Sequence, residues 1–204
     1  VDGILQRFSS WDVQTRFFND NQGYRQAMWT FLHVTAEYAE RIASSGKISL
    51  VSNPRRLLDF FGDYVDTYHP CPVCRERWRE DAPALFRSVT ATSGWDEARI
   101  ALWTHHNDAS MRIHAGVRAY VRDHDSPGQL LEKFATDKRW PSCEMCRECW
   151  KDHCSSRKSP IDAEEPSSTA ALDAERFRKV FDTQMVLRFL SKTYSLKPAA
   201  DRSF

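Results

Sequence analysis

The chain has 204 residues, with 29 Lys and Arg against 28 Asp and Glu, a formal net charge of +1, 41% hydrophobic residues and 28% charged residues. This balance excludes a disordered chain and gives no general attraction to nucleic acid, and the length suits one packed domain with tails. No apolar run reaches the length that crosses a bilayer, so neither nucleic acid nor a membrane is an expected partner of this segment. The chain opens at Val1 with no initiating Met and no signal peptide, as a processed or excised chain would.

Residues 1–20 carry Ile4, Leu5, Phe8, Trp11, Phe17 and Phe18 without a clean period and read as the end of a preceding helical domain. From Tyr24 to about Ala43 the period is helical, with Met28, Leu32, Thr35 or Ala36, Ala39 and Ile42 on one face. Trp29 and His33 stand one turn apart on a neighbouring stripe, where ring and imidazole can face a ligand together. Turn composition follows from Ser45 to Pro54, and then a second helix with Leu57, Leu58, Phe61, Tyr64, Val65 and Tyr68, which Pro70 should end. Pro72 suits the first turn of a third helix and puts Cys71 near its N-cap.

Ser93 before Asp96 and Glu97 predicts a capped helix start, with Ile100, Trp103, Asn107 and Met111 on one face. A loop around Asp123 to Gly128 should precede a short helix near Leu130 to Phe134, and the Ser, Pro and acidic run over 155–172 reads as a linker. Phe177, Val180, Phe181, Met185, Phe189 and Leu190 predict one amphipathic helix within 173–204. With no convincing strand pair, the expected fold class is all-α.

The six cysteines fall in two places, Cys71/Cys74 and the cluster Cys143, Cys146, Cys149 and Cys154. A CxxC pair has three readings. As a structural disulfide it closes a loop too small for much entropic effect, and as half of a zinc site it needs two further Cys or His. At a helix start with Arg75 and Arg77 nearby, the surroundings favour thiolate, the nucleophile of disulfide exchange. A thioredoxin-like placement fails, because such a CxxC follows a strand and here a helix precedes it. For the later cluster, C-x2-C-x2-C-x4-C beside His153 also permits zinc or an iron–sulfur group. Taken alone, Trp29 and Trp103 read as core, His33 as a hydrogen-bonded histidine, and Arg75, Glu76, Arg77 and Arg79 as a solvated helix face.

Together, Trp29-Thr30-Phe31-Leu32-His33, Tyr68-His69-Pro70-Cys71-Pro72-Val73-Cys74 and Trp103-Thr104-His105-His106-Asn107-Asp108-Ala109-Ser110 resemble the three-part signature of the Erv sulfhydryl oxidases in order and spacing. Lys138-Arg139-Trp140-Pro141, then Cys146, Cys149 and the late Val186-Leu187-Arg188-Phe189-Leu190, resemble the Erv domain of the quiescin sulfhydryl oxidases. The resemblance covers roughly residues 21–194. It implies a helical Erv domain over 21–154, after a possible remnant of a pseudo-Erv half at 1–20, that holds FAD and oxidises thiols to disulfides while reducing oxygen to hydrogen peroxide.

By the same resemblance Cys71 is the outer redox sulfur and Cys74 the one nearest the flavin. Trp29, His33, Val73 through its backbone, and Arg77 match family positions that touch FAD. Trp103, His106, Asn107 and Ser110 match the adenine and ribose side, and Lys138 and Trp140 would close the site. Several positions depart from the family. Its lysine stands one residue earlier, where this chain has Asp137; its upstream Arg aligns with Gln22, with Arg25 nearby; and Ala109 and Ser110 replace Val and Asn. No Cys precedes Cys71, so one family disulfide has no counterpart.

The resemblance pairs Cys146 with Cys149, which leaves Cys143 with Cys154, and no metal is expected. Thiol chemistry supplies the mechanism: a substrate thiolate attacks the accessible Cys71, and Cys74 leaves as thiolate aided by the helix terminus. The partners implied are thiol-bearing proteins, reached through a thioredoxin-like domain upstream in a longer chain, and molecular oxygen. The compartment implied is the secretory pathway or outside the cell, with the mitochondrial intermembrane space as the alternative. A rival reading is a zinc- or disulfide-stapled helical module that docks a partner through its late helix.

Overall fold

Helix α1 (Asn21–Ser44) opens the computed structural model, which describes residues 21–46, 51–124, 139–152, 154 and 174–195. It is followed by α2 (Pro54–Tyr68), α3 (Pro72–Phe86), the long α4 (Trp95–His124), a 3-10 turn (Arg147–Cys149), α5 (Ala174–Val180) and α6 (Thr183–Tyr194). Among the described residues the fold is all-α. Residues 1–20, the helix expected at Leu130–Phe134, Lys138 and the linker 155–172 lie outside the described residues, as do the side chains of Gln22 and Arg25.

Local chemistry explains the boundaries. Asn53 caps α2 by accepting from the Arg56 amide at 3.0 Å, and Pro54 takes the first turn, where its missing N–H costs nothing. At the other end Tyr68 is the last helical residue before Pro70, and the His69 amide donates to Val65 O at 3.0 Å. Cys71 is the N-cap of α3, with Pro72 in the first turn. The expected cap at Ser93 is not formed. Its hydroxyl accepts from the Thr90 amide at 3.0 Å and closes the preceding turn, while Asp96 and Glu97 lie in the first turn of α4 and favour its positive end.

The single late helix expected from Phe177 to Leu190 is two helices. Asp182 interrupts it, because its carboxylate accepts from the amides of Gln184 and Met185 at 2.9 and 3.1 Å and starts α6 afresh. The Asp182 amide in turn donates to Cys149 O at 2.8 Å, and Lys151 N donates to Val180 O at 2.9 Å. These bonds make an isolated antiparallel bridge between Trp150 and Phe181, a strand-like contact that periodicity did not foresee.

Two cores share α4. Leu102 packs into the first with Met28, Leu32, Phe61, Val65 and Trp78, and the adjacent Trp103 packs into the second with Trp150, Phe177, Phe181, Val186 and Leu190. The expected face of α1 is buried at Met28, Leu32, Ala36 and Ala39. The second core is stapled by Cys146–Cys149 and Cys143–Cys154, so all six cysteines are in disulfides. The described residues contain no helix long and apolar enough to cross a membrane.

Candidate functional site

The Cys71–Cys74 disulfide sits on the first turn of the 15-residue α3, with its Cα atoms 5.2 Å apart. Cys71 Sγ accepts from the Cys74 amide at 3.2 Å, so the outer sulfur lies where amide dipoles converge. A thiolate formed there is stabilised, which makes it both a better leaving group and a larger fraction of the reduced pair. Both cysteines are partly exposed and open to attack. Beside them the buried His69 accepts the Cys71 amide on Nδ1 at 3.1 Å.

One turn along α3 from Cys74, the buried Trp78 faces the interior, with its ring 5.8 Å from Trp29 and 4.3 Å, edge-on, from His105. The inner sulfur therefore shares a helical stripe with a residue that touches an aromatic cage between α1, α4 and α6. In that cage Trp29 stacks on His106 at 4.3 Å and 10°, and His33 and His106 are hydrogen-bonded, Nε2 to Nδ1, at 3.1 Å. Trp140 lies 5.3 Å from His33 and 5.2 Å from His106, and Tyr194 stacks on His33 at 5.0 Å and 11°. Ser191 donates its hydroxyl to Glu37 at 2.6 Å and holds α6 against α1 over these rings.

Trp140 is held by its backbone. The fully buried Asn107 accepts from Trp140 N at 2.6 Å and donates to Trp140 O at 2.7 Å, while Trp103 Nε1 donates to the same oxygen at 2.8 Å. The structure thus brings Trp29, His33, His106 and Trp140 together as rings, with Asn107 and Trp103 acting from behind. Trp103 itself lies wholly inside the second core. Ser110 lies on α4 one turn beyond Asn107 and is partly buried. Val73 turns its side chain to solvent, and Arg77 is exposed and paired with Glu80 at 2.9 Å on the outer face of α3. Sequence reasoning missed Trp78 and Tyr194 as site neighbours and carried His69 and His105 only as members of their motifs. Trp78 at four residues from Cys74, and Tyr194 at four from Leu190, were the available signals.

Burial holds the imidazoles neutral. His33 is lowered well below the usual histidine range by burial and then by His106. His105 falls to about 3 through burial, Arg112 and His106, and His106 falls to about 3 through burial. Burial also raises Tyr194 to about 12 and Asp108 to about 6, the latter against the pull of Arg112. Arg112 pairs with Asp108 at 2.8 Å and with Asp81, joining α4 to the CxxC helix.

These shifts set an acid response. Each histidine binds its proton in the unfolded chain below about 6.5 but not in the fold, so its contribution is complete above that pH and is lost as pH falls. Asp108 acts in the opposite sense between its ordinary 3.8 and about 6, because there the folded state binds the extra proton. Near pH 5 the three histidines together outweigh Asp108, so unfolding takes up protons and stability falls as the pH falls. Denaturant titrations from pH 7 to pH 4 should show this slope, and a flat profile would contradict neutral burial of the three rings.

At 22% identity over 175 residues the chain is similar to sulfhydryl oxidase 1 of Gallus gallus. The match covers 86% of this chain and 18% of that protein, so the chain spans under a fifth of the relative's length. No family model matches the chain, and no solved structure matches it.

Proposed function

We propose that this chain is the FAD-binding oxidase domain of an Erv-type sulfhydryl oxidase of the quiescin kind, converting dithiols to disulfides and passing the electrons to oxygen. The observation that carries the reading is the partly exposed Cys71–Cys74 disulfide at the start of α3, whose inner sulfur lies one turn from Trp78 at the edge of the aromatic cage. The donor set suits a flat, largely uncharged ring system. Trp29, His33, His106 and Trp140 are gathered in one cluster with Trp29 stacked on His106 and Tyr194 on His33, contacts that a bound ring would replace; the imidazoles are neutral, and the buried His105 Nδ1 has no hydrogen-bond partner among the described residues. Those four rings would hold the cofactor, with Asn107 fixing Trp140 behind them. FAD bound there would supply the two-electron acceptor that reduces oxygen to hydrogen peroxide.

The protein's own chemistry is disulfide exchange. A substrate thiolate bonds to Cys71 Sγ and breaks the Cys71–Cys74 bond, leaving the electron pair on Cys74. A second substrate thiolate then takes the substrate sulfur and releases Cys71 as thiolate. Two substrate electrons thus reside on the cysteine pair, one helical turn from Trp78. Protein dithiols, delivered by a thioredoxin-like domain of a longer chain, are the proposed donors. The proposed location is the secretory pathway or outside the cell, with the intermembrane space as the alternative.

The test is the visible absorption spectrum of the purified chain, followed with dithiothreitol in air and under argon. The expected result is flavin absorbance that bleaches without air, with oxygen uptake in its presence. A colourless, zinc-containing chain that consumes no oxygen would replace this reading with the stapled module.

A further inference from the structure

The zinc reading of Cys71/Cys74 lacks two ligands when only the CxxC spacing is considered. The fold supplies one of them. A ring nitrogen of His69 and the two sulfurs all lie within 4.8 Å of one another. We propose that the reduced Cys71/Cys74 pair and His69 form a three-ligand site for a thiophilic divalent cation, Zn2+, that exists only while the disulfide is open. The inference rests on the reading of this disulfide as one that opens during turnover.

The geometry needs little change. Zinc bonds of about 2.3 Å to sulfur and about 2.0–2.1 Å to nitrogen set tetrahedral ligand atoms roughly 3.5–3.8 Å apart. The three atoms are already inside a 4.8 Å span, with the cysteine Cα atoms 5.2 Å apart, so the sulfurs need only separate once reduced. His69 is pre-positioned for this. It is 4% exposed, its amide is fixed to Val65 O at the end of α2, and its ring is fixed by the Cys71 amide. In the neutral ring that last bond leaves the lone pair on Nδ1 and the proton on Nε2, so Nδ1 is the nitrogen offered to the ion in place of the amide hydrogen. The partly exposed sulfurs leave a fourth position for water or an incoming thiolate.

The chemistry balances with groups already named. A dithiol substrate reduces the disulfide to two thiols and is itself oxidised. Zinc then binds the two sulfurs and displaces two protons. Metal-bound sulfurs cannot re-form the disulfide, so the ion stops the pair in its reduced state, and removal of the ion restores it. The oxidised chain offers only the imidazole and binds no ion here.

The probe is Co2+, whose thiolate charge-transfer and d–d absorption report tetrahedral sulfur ligation. The full chain is reduced with a dithiol under argon, freed of reductant and titrated. One equivalent is expected to bind, to be displaced by Zn2+, and to be absent from the oxidised chain. His69→Ala should weaken binding at least about tenfold and alter the d–d bands, given that even outer-shell partners are worth about 10–100-fold in affinity. His69→Gln, which keeps a polar side chain at the turn, should do the same if the alanine variant is misfolded by circular dichroism. Unchanged affinity and bands in both variants would overturn the proposal. So would a cobalt spectrum that survives in Cys71→Ser/Cys74→Ser, since the ion would then belong to the Cys143 to Cys154 cluster. Oxygen uptake is measured separately. A chain that binds cobalt as described but takes up no oxygen keeps this site and loses the oxidase, whereas uptake without cobalt binding removes this site alone.

Discussion

Replacing Cys74 with serine is expected to reduce dithiol-driven oxygen uptake to the uncatalysed background while the fold and the aromatic cage persist. The physical reason is that the exchange step needs a sulfur leaving group on Cys71, and serine cannot form the bond that breaks. Stability should fall by no more than about 2 kcal/mol, because the disulfide spans a sequence separation of 3 and closes so short a loop that this is its whole worth in the chain-entropy account. The two effects are thus separable: oxygen consumption is followed electrochemically, and the denaturant midpoint by far-ultraviolet circular dichroism. Uptake near the parent rate in Cys74→Ser would show that electrons do not pass through this pair and would move attention to Cys146–Cys149.

Asn107→Leu should instead destabilise the fold by about 1–3 kcal/mol, the cost of one buried polar group left without a partner. Asn107 is fully buried, and its amide both accepts from Trp140 N and donates to Trp140 O and Trp103 O. Leucine keeps the branched outline of the side chain but leaves the Trp140 amide unpaired, while the carbonyl keeps only its bond from Trp103 Nε1. Trp140 would then disengage from His33 and His106, so a red shift of tryptophan emission should accompany the lower unfolding midpoint. A midpoint within about 0.5 kcal/mol of the parent, the scatter of an ordinary surface change, would mean that Asn107 is not the clasp described. The same variant distinguishes a structural from a direct role at a position that the family resemblance assigns to the cofactor.

Similarity to a curated sulfhydryl oxidase over most of this chain, but only 18% of that protein, bears on chemistry more than on biological context. The proposed thiol-exchange centre is contained within α3 and its N-cap, so a small dithiol suffices to test it. Protein substrates and the path by which their electrons arrive belong to the proposal for the longer protein.

Local signals account for much of the fold. The helical period of α1 and α2, the stop before Pro70, and the Pro72 start that makes Cys71 an N-cap were legible because each depends on neighbours within a turn or two. The CxxC redox reading came from the same local information. The legible set also included Trp29 and His33 as neighbours one turn apart, and His106, Asn107 and Trp140 as residues of a motif with no indication of what they touch.

Tertiary structure decided the rest, where competition between local and distant partners sets the outcome. Ser93 had the pattern of a cap, yet the Thr90 amide captured its hydroxyl. Phe177 to Leu190 had the period of one helix, yet Asp182 bonded two amides ahead and the Cys149 carbonyl behind, and broke it in two. The approach of His69 to both sulfurs, the stacking of Tyr194 on His33, and the division of adjacent Leu102 and Trp103 between two cores required the packing itself. Periodicity records which face of a helix is apolar; which surface that face meets, and which polar atoms are then sealed from water and must find each other, is determined only when the helices close together.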